Sequence, residues 1–188
     1  MAVLKGCFGA GAFSFAGQHY AIRDLDAYPK PVQLPHPPFF IGGGGRRTLA
    51  LAGREADIVG LAPRILSGQR PDPNSLTLAA AAEKLDWVRE AAGQRFQDLT
   101  FNVYPSSWPV TITEHPRLEA ARVVDHLRGR TSVDLTVDDV LESPHLFVST
   151  IDGFVEKFRM LRERLGISSF MVGDIDELAP VVERLAGS

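Results

Sequence analysis

Apolar residues from Phe39 onward follow two alternating patterns, short continuous runs and longer stretches with helical spacing. Short continuous runs are typical of strands that are buried on both faces of a parallel sheet. We predict four such strands, at Phe39–Gly42, Asp57–Leu61, Leu99–Tyr104 and Ser168–Val172. Helical spacing predicts helices at Arg46–Arg54, Leu76–Ala92, Pro116–Arg128, Val137–Leu141 and Ile151–Leu165, and a last helix ending near Leu185.

Individual residues support these helix boundaries and the inward faces of the helices. Gly93 and Gly166 directly follow two of the predicted helices, where glycine commonly ends a helix. Asp174 and Glu177 have the spacing of a capping box at the start of the last helix. In the helix over 116–128, we expect the inward residues to be Leu118, Ala121, Val124 and Leu127.

The chain before the first predicted strand has a different character. Met1–Phe8 resembles the tail of a helix, and Phe13–Ile22 predicts a hairpin that turns near Ala16 and Gly17. The stretch from Arg23 to Pro38 contains five prolines, which exclude a helix there. We therefore divide the chain into residues 1–38, a helix remnant with a hairpin and a proline-rich arm, and residues 39–188.

Strands that alternate with helices predict an α/β fold of parallel βα units with right-handed crossovers. A complete eight-unit barrel takes about 250 residues, and residues 39–188 supply four units, half of such a barrel. A four-stranded parallel sheet leaves two unpaired edges and an apolar inner face, which predicts association. Two copies could join, a separate N-terminal polypeptide could complete the barrel, or residues 1–38 could cover an edge; we favour self-association into a homodimer.

The sequence from Pro37 to Arg47 is the most informative stretch for function. Two prolines, three bulky apolar residues and the four glycines Gly42–Gly45 lead directly into the helix that begins at Arg46. Glycines let a backbone approach a ligand closely, and the start of a helix offers unpaired N–H groups that suit a phosphate. A loose glycine turn without a ligand is the alternative, because glycine loops give many false matches.

Composition excludes several classes of function. The chain has 188 residues and a net charge of −3, so no overall positive field attracts nucleic acid or acidic lipid. No apolar run reaches the roughly 18 residues of a membrane-spanning helix, and we see no signal peptide. Cys7 is the single cysteine, which fits a reducing, cytoplasmic environment.

The other polar residues do not define a catalytic group. The five histidines lack metal-ligand spacing, so we predict no metal site. His36 reads as a surface residue, and His145 reads as a local cap at a helix start. Asn102 and Tyr104 share one face of the third strand, either toward the barrel interior or toward the helices. We assign no catalytic acid or base.

Several segments together resemble the luciferase-like monooxygenase superfamily, and most closely its coenzyme F420-dependent oxidoreductases. They are Phe15-x-Gly17-x-His19-Tyr20, the prolines between Lys30 and Pro38, Ile41–Gly45, Leu49-x-Leu51-Ala52-x-Arg54-x-Ala56-Asp57, and Thr150–Phe170. The run from proline to glycine is the most specific of these. The resemblance covers nearly the whole chain and corresponds to the second half of the family's barrel.

The resemblance implies a TIM barrel that binds FMN or F420, without distinguishing between them. It places the cofactor phosphate at Gly42, Gly43, Gly44 and Gly45, with Arg46 nearby. The first strands of the family, which supply much of the wall facing the cofactor ring, have no counterpart in this sequence. The expected function is a flavin- or F420-dependent oxidoreductase or monooxygenase acting on a small molecule; the alternative is a non-catalytic cofactor-binding or structural half-barrel.

Overall fold

The computed structural model describes residues 1–67, 70–128, 135–173 and 175–186, with the side chain of Ile175 left undescribed. The chain forms two compact units, an N-terminal unit (Met1–Phe39) and a C-terminal unit (Phe40–Ser188). The division predicted from the sequence, 1–38 and 39–188, stays a prediction about independent domains.

The N-terminal unit contains one helix and one hairpin. Helix α1 spans Ala2–Phe8, and the antiparallel strands β1 and β2 span Phe13–Ala16 and Ala21–Leu25. The rings of Phe8 and His36 pack on Phe39, with centroids 5.9 and 4.2 Å from the Phe39 ring. Phe39 is therefore held in this unit, and the strand predicted to begin there begins one residue later. His36 is half-buried rather than a surface residue.

The C-terminal unit is built on a four-stranded sheet with neighbouring strands parallel throughout. Its strands lie in the order β3, β4, β7, β10, so β3 and β10 are its edges. The bounds are Phe40–Gly43 for β3, Ile58–Leu61 for β4, Thr100–Val103 for β7 and Ile167–Phe170 for β10. All four predicted strands and their parallel α/β arrangement are confirmed, and the sheet is open.

The helices of this unit agree closely with the prediction. They are α2 (Arg46–Glu55), α3 (Leu78–Ala92), α4 (Pro116–Arg128), α5 (Val137–Glu142), α6 (Ile151–Leu165) and α7 (Ile175–Leu185). Gly93 and Gly166 follow α3 and α6 with positive φ angles of 57° and 68°, as expected for helix-ending glycines. The predicted capping box of α7 lies outside the described residues, because Asp174 is not described.

Short elements that the hydrophobic pattern did not predict lie in the loops. They are the antiparallel pair β5 (Ile65–Leu66) and β6 (Arg70–Pro71), the parallel pair β8 (Thr111–Ile112) and β9 (Val148–Ser149), and 3₁₀ turns at Pro73–Leu76 and Gly93–Asp98. One inward assignment is wrong. Leu118 is 57% exposed, because α4 instead turns Ala120, Val123, Val124 and Leu127 toward the interior.

The main hydrophobic core lies on one side of the sheet. Alternate strand residues point into it and meet α2, α3 and α6: Val59, Leu61, Phe101, Val103 and Ile167. The intervening residues point the other way because side chains alternate along a strand. We call this second side the inner face; it carries Phe40, Gly42, Ile58, Gly60, Thr100 and Asn102. Glycines and polar groups occupy much of it, so it is less apolar than we expected.

Candidate functional site

The glycine loop connects the end of β3 to the start of α2. An added Cβ on Gly44 would overlap the carbonyl group of Pro63, and one on Gly43 would lie 2.7 Å from the Thr48 side chain. Both positions need glycine because neighbouring atoms approach so closely. A Cβ on Gly45 would meet nothing within 4 Å. The loop is therefore closely packed on one side and open at Gly45.

Helix α2 begins without a capping side chain. Gly45 is its N-cap, no side chain accepts a hydrogen bond there, and its first turn contains no acidic residue. By contrast, α3, α5 and α6 each begin after a threonine whose hydroxyl oxygen accepts a backbone N–H. The unpaired N–H groups of α2 carry a partial positive charge, so its start suits an anion.

The two arginines at this helix start have different surroundings. The Arg46 guanidinium donates to a Glu90 carboxylate oxygen at 2.7 Å, and the Arg46 side chain is 63% exposed. Arg47 is exposed, and no ion pair of Arg47 is found within the described ranges. Two cations at the positive end of a helix dipole are unfavourable unless an anion lies nearby.

A row of three residues crosses the inner face close to the glycine loop. Gly42, Gly60 and Asn102 are register partners on β3, β4 and β7. The Asn102 side chain is buried, at 3% exposure, and its Nδ2 donates to Ser169 Oγ at 2.8 Å. Its Oδ1 has no hydrogen-bond partner in the described part of the chain. The structure thus turns Asn102 toward the inner face, which the sequence left open.

His145 lies at the end of β7 and is completely buried. Its Nδ1 is 3.2 Å from the Tyr104 carbonyl oxygen, which can only accept, so Nδ1 donates and Nε2 carries the lone pair. Nε2 has no partner among the described residues. Burial, with Lys84 nearby, lowers the pKa of His145 to about 3. The expected role as a cap at a helix start is wrong, because His145 follows α5 and belongs to the interior.

Two buried lysines lie close to the same strand ends. Lys84 on α3 donates to the carbonyl oxygens of Ala62 and Ser75 at 2.8 and 2.9 Å, which ties the chain leaving β4 to the turn before α3. Lys157 on α6 donates to the carbonyl oxygen of Leu146 at 2.5 Å. Burial lowers the pKa of Lys84 to about 8 and that of Lys157 to about 7.

Sequence reasoning missed these lysines, although a signal was present. Each lies on the apolar stripe of its helix, Lys84 between Ala81 and Val88 and Lys157 between Phe154 and Leu161. A cation in such a stripe predicts a buried, hydrogen-bonded ammonium group. Their amines already bind backbone carbonyl groups, so we assign them a structural role.

The described residues contain neither a metal-binding cluster nor a membrane-spanning helix. No group of three or more His, Cys, Asp and Glu side chains in these ranges could hold a metal ion. No described helix is long and apolar enough to span a membrane.

Comparison with known proteins identifies the family. The model of the luciferase-like monooxygenases matches residues 1–131, which is more than half of the 188 residues. This chain belongs to the luciferase-like monooxygenase family. The resemblance noted from the sequence is confirmed. A curated relative, the FMNH2-dependent dimethylsulfone monooxygenase of Pseudomonas putida, is 43% identical over 54 residues, or 29% of this chain and 15% of the relative.

Solved structures share the fold at low sequence identity. The F420-dependent tetrahydromethanopterin reductase of Methanopyrus kandleri has a TM-score of 0.64 at 14% identity, covering 96% of this chain. The EDTA monooxygenase of Chelativorans sp. BNC1 has a TM-score of 0.61 at 11% identity, covering 98%. An F420-dependent secondary alcohol dehydrogenase has a TM-score of 0.58 at 15% identity, covering 97%. This luciferase-like chain spans 58% of the length of each.

Proposed function

We propose that this chain is the cofactor-binding part of a flavin- or F420-dependent oxidoreductase of the monooxygenase class. Its membership of the luciferase-like family and the similar folds of F420-dependent enzymes and a monooxygenase support this proposal. The relative from Pseudomonas putida is FMNH2-dependent. We propose FMN or F420 as the cofactor without choosing between them.

The observation that carries the proposal is the open start of α2. Four glycines lead to N–H groups that no side chain caps, and the first turn holds two arginines and no acid. An anionic phosphate would satisfy those N–H groups and offset the positive charge of Arg47, while Arg46 already pairs with Glu90. We therefore infer that Gly42–Gly45 hold the cofactor phosphate. Arg46 remains a predicted contact, which would have to share its guanidinium with Glu90.

The bound cofactor would supply the redox chemistry, the transfer of a hydride or the reaction with oxygen. The chain's own residues would bind the phosphate, orient the ring and limit access of water. We assign no acid or base of this chain to the reaction. The small-molecule substrate would meet the cofactor at the carboxyl ends of the strands, where barrel enzymes hold their active sites.

Substitutions at Gly45 test the phosphate site without disturbing the loop, since a side chain there meets open space. We expect one ranking of three variants by melting temperature and the reverse ranking by FMN affinity. The variants are Gly45→Asp, Gly45→Asn and Gly45→Ala. Asp and Asn cap a helix better than Gly, and Ala caps it worse, so the melting temperature should fall from Asp and Asn to Ala. FMN affinity should be highest in Gly45→Ala and lowest in Gly45→Asp, by at least about tenfold.

Titration followed by flavin fluorescence, with F420 absorbance in parallel, measures these affinities. Riboflavin, which lacks the phosphate, should bind all three variants equally. Equal FMN affinity in the Asp and Ala variants would exclude the phosphate site. Cofactor binding without turnover in the presence of a reductase and acceptors would assign the non-catalytic alternative.

We also propose that the open sheet is completed by a second copy of the chain. The edges β3 and β10 are both available for a parallel neighbour within the C-terminal unit. A complementary N-terminal half-barrel chain is the other candidate for this partner.

A further inference from the structure

The row of Gly42, Gly60 and Asn102 combines two paired glycines with a buried polar side chain. Gly42 and Gly60 are register partners on neighbouring strands, so a strip two strands wide on the inner face carries no side chain. Glycine weakens a strand because it has no side chain to pack. Two paired glycines beside a polar residue therefore indicate a surface that a ligand can approach closely.

Asn102 lies at the end of this strip, and only one end of its side-chain amide has a hydrogen-bond partner among the described residues. One end donates to Ser169 Oγ, while Oδ1 is buried and unpaired in the part of the chain that the structure describes. An unpaired buried acceptor is destabilising, because it loses its hydrogen bonds to water without gaining others. Because the serine hydroxyl can donate or accept, either orientation of the amide leaves one end unpaired. The unpaired group calls for a ligand that offers a complementary hydrogen bond.

The ring of Phe40 occupies the strip in this structure. An added Cβ on Gly60 would lie 2.8 Å from that ring, and one on Gly42 would lie 3.5 Å from it. Phe40 is 47% exposed, so its ring can rotate toward solvent without leaving a cavity in the core. A flat aromatic group already fits against the two glycines, and another flat group could take its place.

The strip and the start of α2 are joined by a short length of chain. Gly42 begins the run of four glycines, and Gly45 at the helix start lies three positions later, with two residues between them. Three residues of extended chain span about 10 Å. Flavins and deazaflavins carry a planar ring joined to a phosphate by a short polyol chain, so one molecule could reach both places.

We propose that Asn102 positions the ring of the cofactor by binding its pyrimidine edge, while the ring lies on Gly42 and Gly60 in place of Phe40. That edge carries an imide N–H between two carbonyl groups, so it complements either orientation of the amide. The proposal rests on the proposed function, because it requires a flavin or deazaflavin. Asn102 is a positioning residue here, and no proton transfer is assigned to it.

Asn102→Leu separates this role from a structural one. Leucine removes the unpaired acceptor, so the melting temperature of the ligand-free protein should stay the same or rise. The affinities for riboflavin and FMN should both fall by at least about tenfold, since both molecules carry the pyrimidine edge. Ser169→Ala is the matched control, which removes the partner of Asn102 but leaves the amide; it should lower the melting temperature and change riboflavin affinity less than about twofold.

Fluorescence titration of each variant with riboflavin, FMN and F420 distinguishes the outcomes. Riboflavin affinity that is unchanged in Asn102→Leu would overturn the inference and leave the phosphate site standing. A wild-type protein that binds neither FMN nor F420 would overturn both proposals. If Asn102→Leu does not fold, Phe40→Ala serves instead. It should strengthen riboflavin binding severalfold because no ring has to be displaced, and unchanged or weaker binding would overturn the inference.

Discussion

The C-terminal unit has two lysines, Lys84 and Lys157, and both side chains are buried. Each amine is held by backbone carbonyl oxygens rather than by a carboxylate. Burial without an opposite charge disfavours the ammonium form, which is why the pKa values fall to about 8 and about 7. In an unfolded chain both would titrate near 10.4.

These pKa values predict how stability depends on pH. Between about pH 7 and 10 the unfolded chain binds more protons than the folded one, so the free energy of unfolding should rise with pH. One such group contributes up to about 1.4 kcal/mol per pH unit. Lys157→Met should remove its share of this slope, and Lys84→Met should remove the other. Urea unfolding at several pH values measures the slope.

The two single variants are each compared with the wild-type chain, and each should keep the part of the slope that belongs to the remaining lysine. A double variant, Lys84→Met with Lys157→Met, should lose most of the rise. If the double variant keeps the same slope, the pKa of neither amine is lowered in the folded protein.

Among the helices and strands, α2 positions the candidate site, because the glycine loop leads directly into its first turn. Arg95 donates to the carbonyl oxygens of Gly53 and Ala56 at 2.8 Å each, which satisfies the end of α2. Gly53 allows close contact with α3, because a Cβ there would lie 2.8 Å from the Val88 carbonyl oxygen. The helix is therefore fixed at its end and along its side, while its first turn stays open.

Gly53→Ala tests this contact. A glycine inside a helix usually gains about 1 kcal/mol of stability when replaced by alanine. Here the added methyl group would push α2 away from α3, so we expect a net loss of about 1–3 kcal/mol in chemical unfolding. Gly173→Ala is the control, since its Cβ would meet nothing within 4 Å. A gain in stability from Gly53→Ala would contradict the close contact.

Sequence patterns predicted the long elements well, and physical reasons account for the failures. The four strands and the helices α4 and α6 follow from continuous apolar runs, helical spacing and helix-ending glycines such as Gly166. The pairs β5–β6 and β8–β9 have two residues per strand, too few to show any period. Leu118 was misassigned because the start of α4 leaves one apolar side chain outside the buried stripe.

The candidate site was predictable only in part. The glycine loop was visible because four consecutive glycines before a helix have a direct physical meaning. The row that pairs Gly42, Gly60 and Asn102 was not, because it depends on the register of three strands that are far apart in the sequence. His145 was placed wrongly because Pro144 suggested a helix start, whereas tertiary contacts bury the ring beside Tyr104.

For the protein as a whole, the open sheet of the C-terminal unit predicts association with a partner. A groove of about 550 Å³ beside the edge strand β10 has a mixed lining of the apolar Phe158, Phe170 and Leu185 and the polar Arg159, Arg162, Glu163 and Ser168. An adjoining groove of about 330 Å³ is lined by apolar residues of α7, among them Val182, which is 61% exposed. An unpaired parallel edge with an apolar groove beside it favours association.

Charge supports a second copy as the partner. The exposed side of α2, beside the other edge strand, carries Arg47 and Arg54 with Leu51 between them. The exposed residues of α7 include Glu177, Val182 and Glu183, together with Arg184, which pairs with Asp152. If β10 of one copy pairs with β3 of the other, α7 and α2 become neighbours with complementary charges. The same contact repeated by twofold symmetry would close both edges.

Val182→Glu should disrupt this contact while the fold remains intact. We expect the wild-type chain to scatter light as a dimer at micromolar concentration, and the variant to be largely monomeric with an unchanged circular dichroism spectrum. A buried glutamate without a partner is unfavourable, which provides the driving force for dissociation. Leu118→Glu introduces the same charge at a similarly exposed position on α4, away from both edges, and should leave the dimer unchanged. A monodisperse monomer of the wild-type chain would exclude self-association and favour a separate complementary chain.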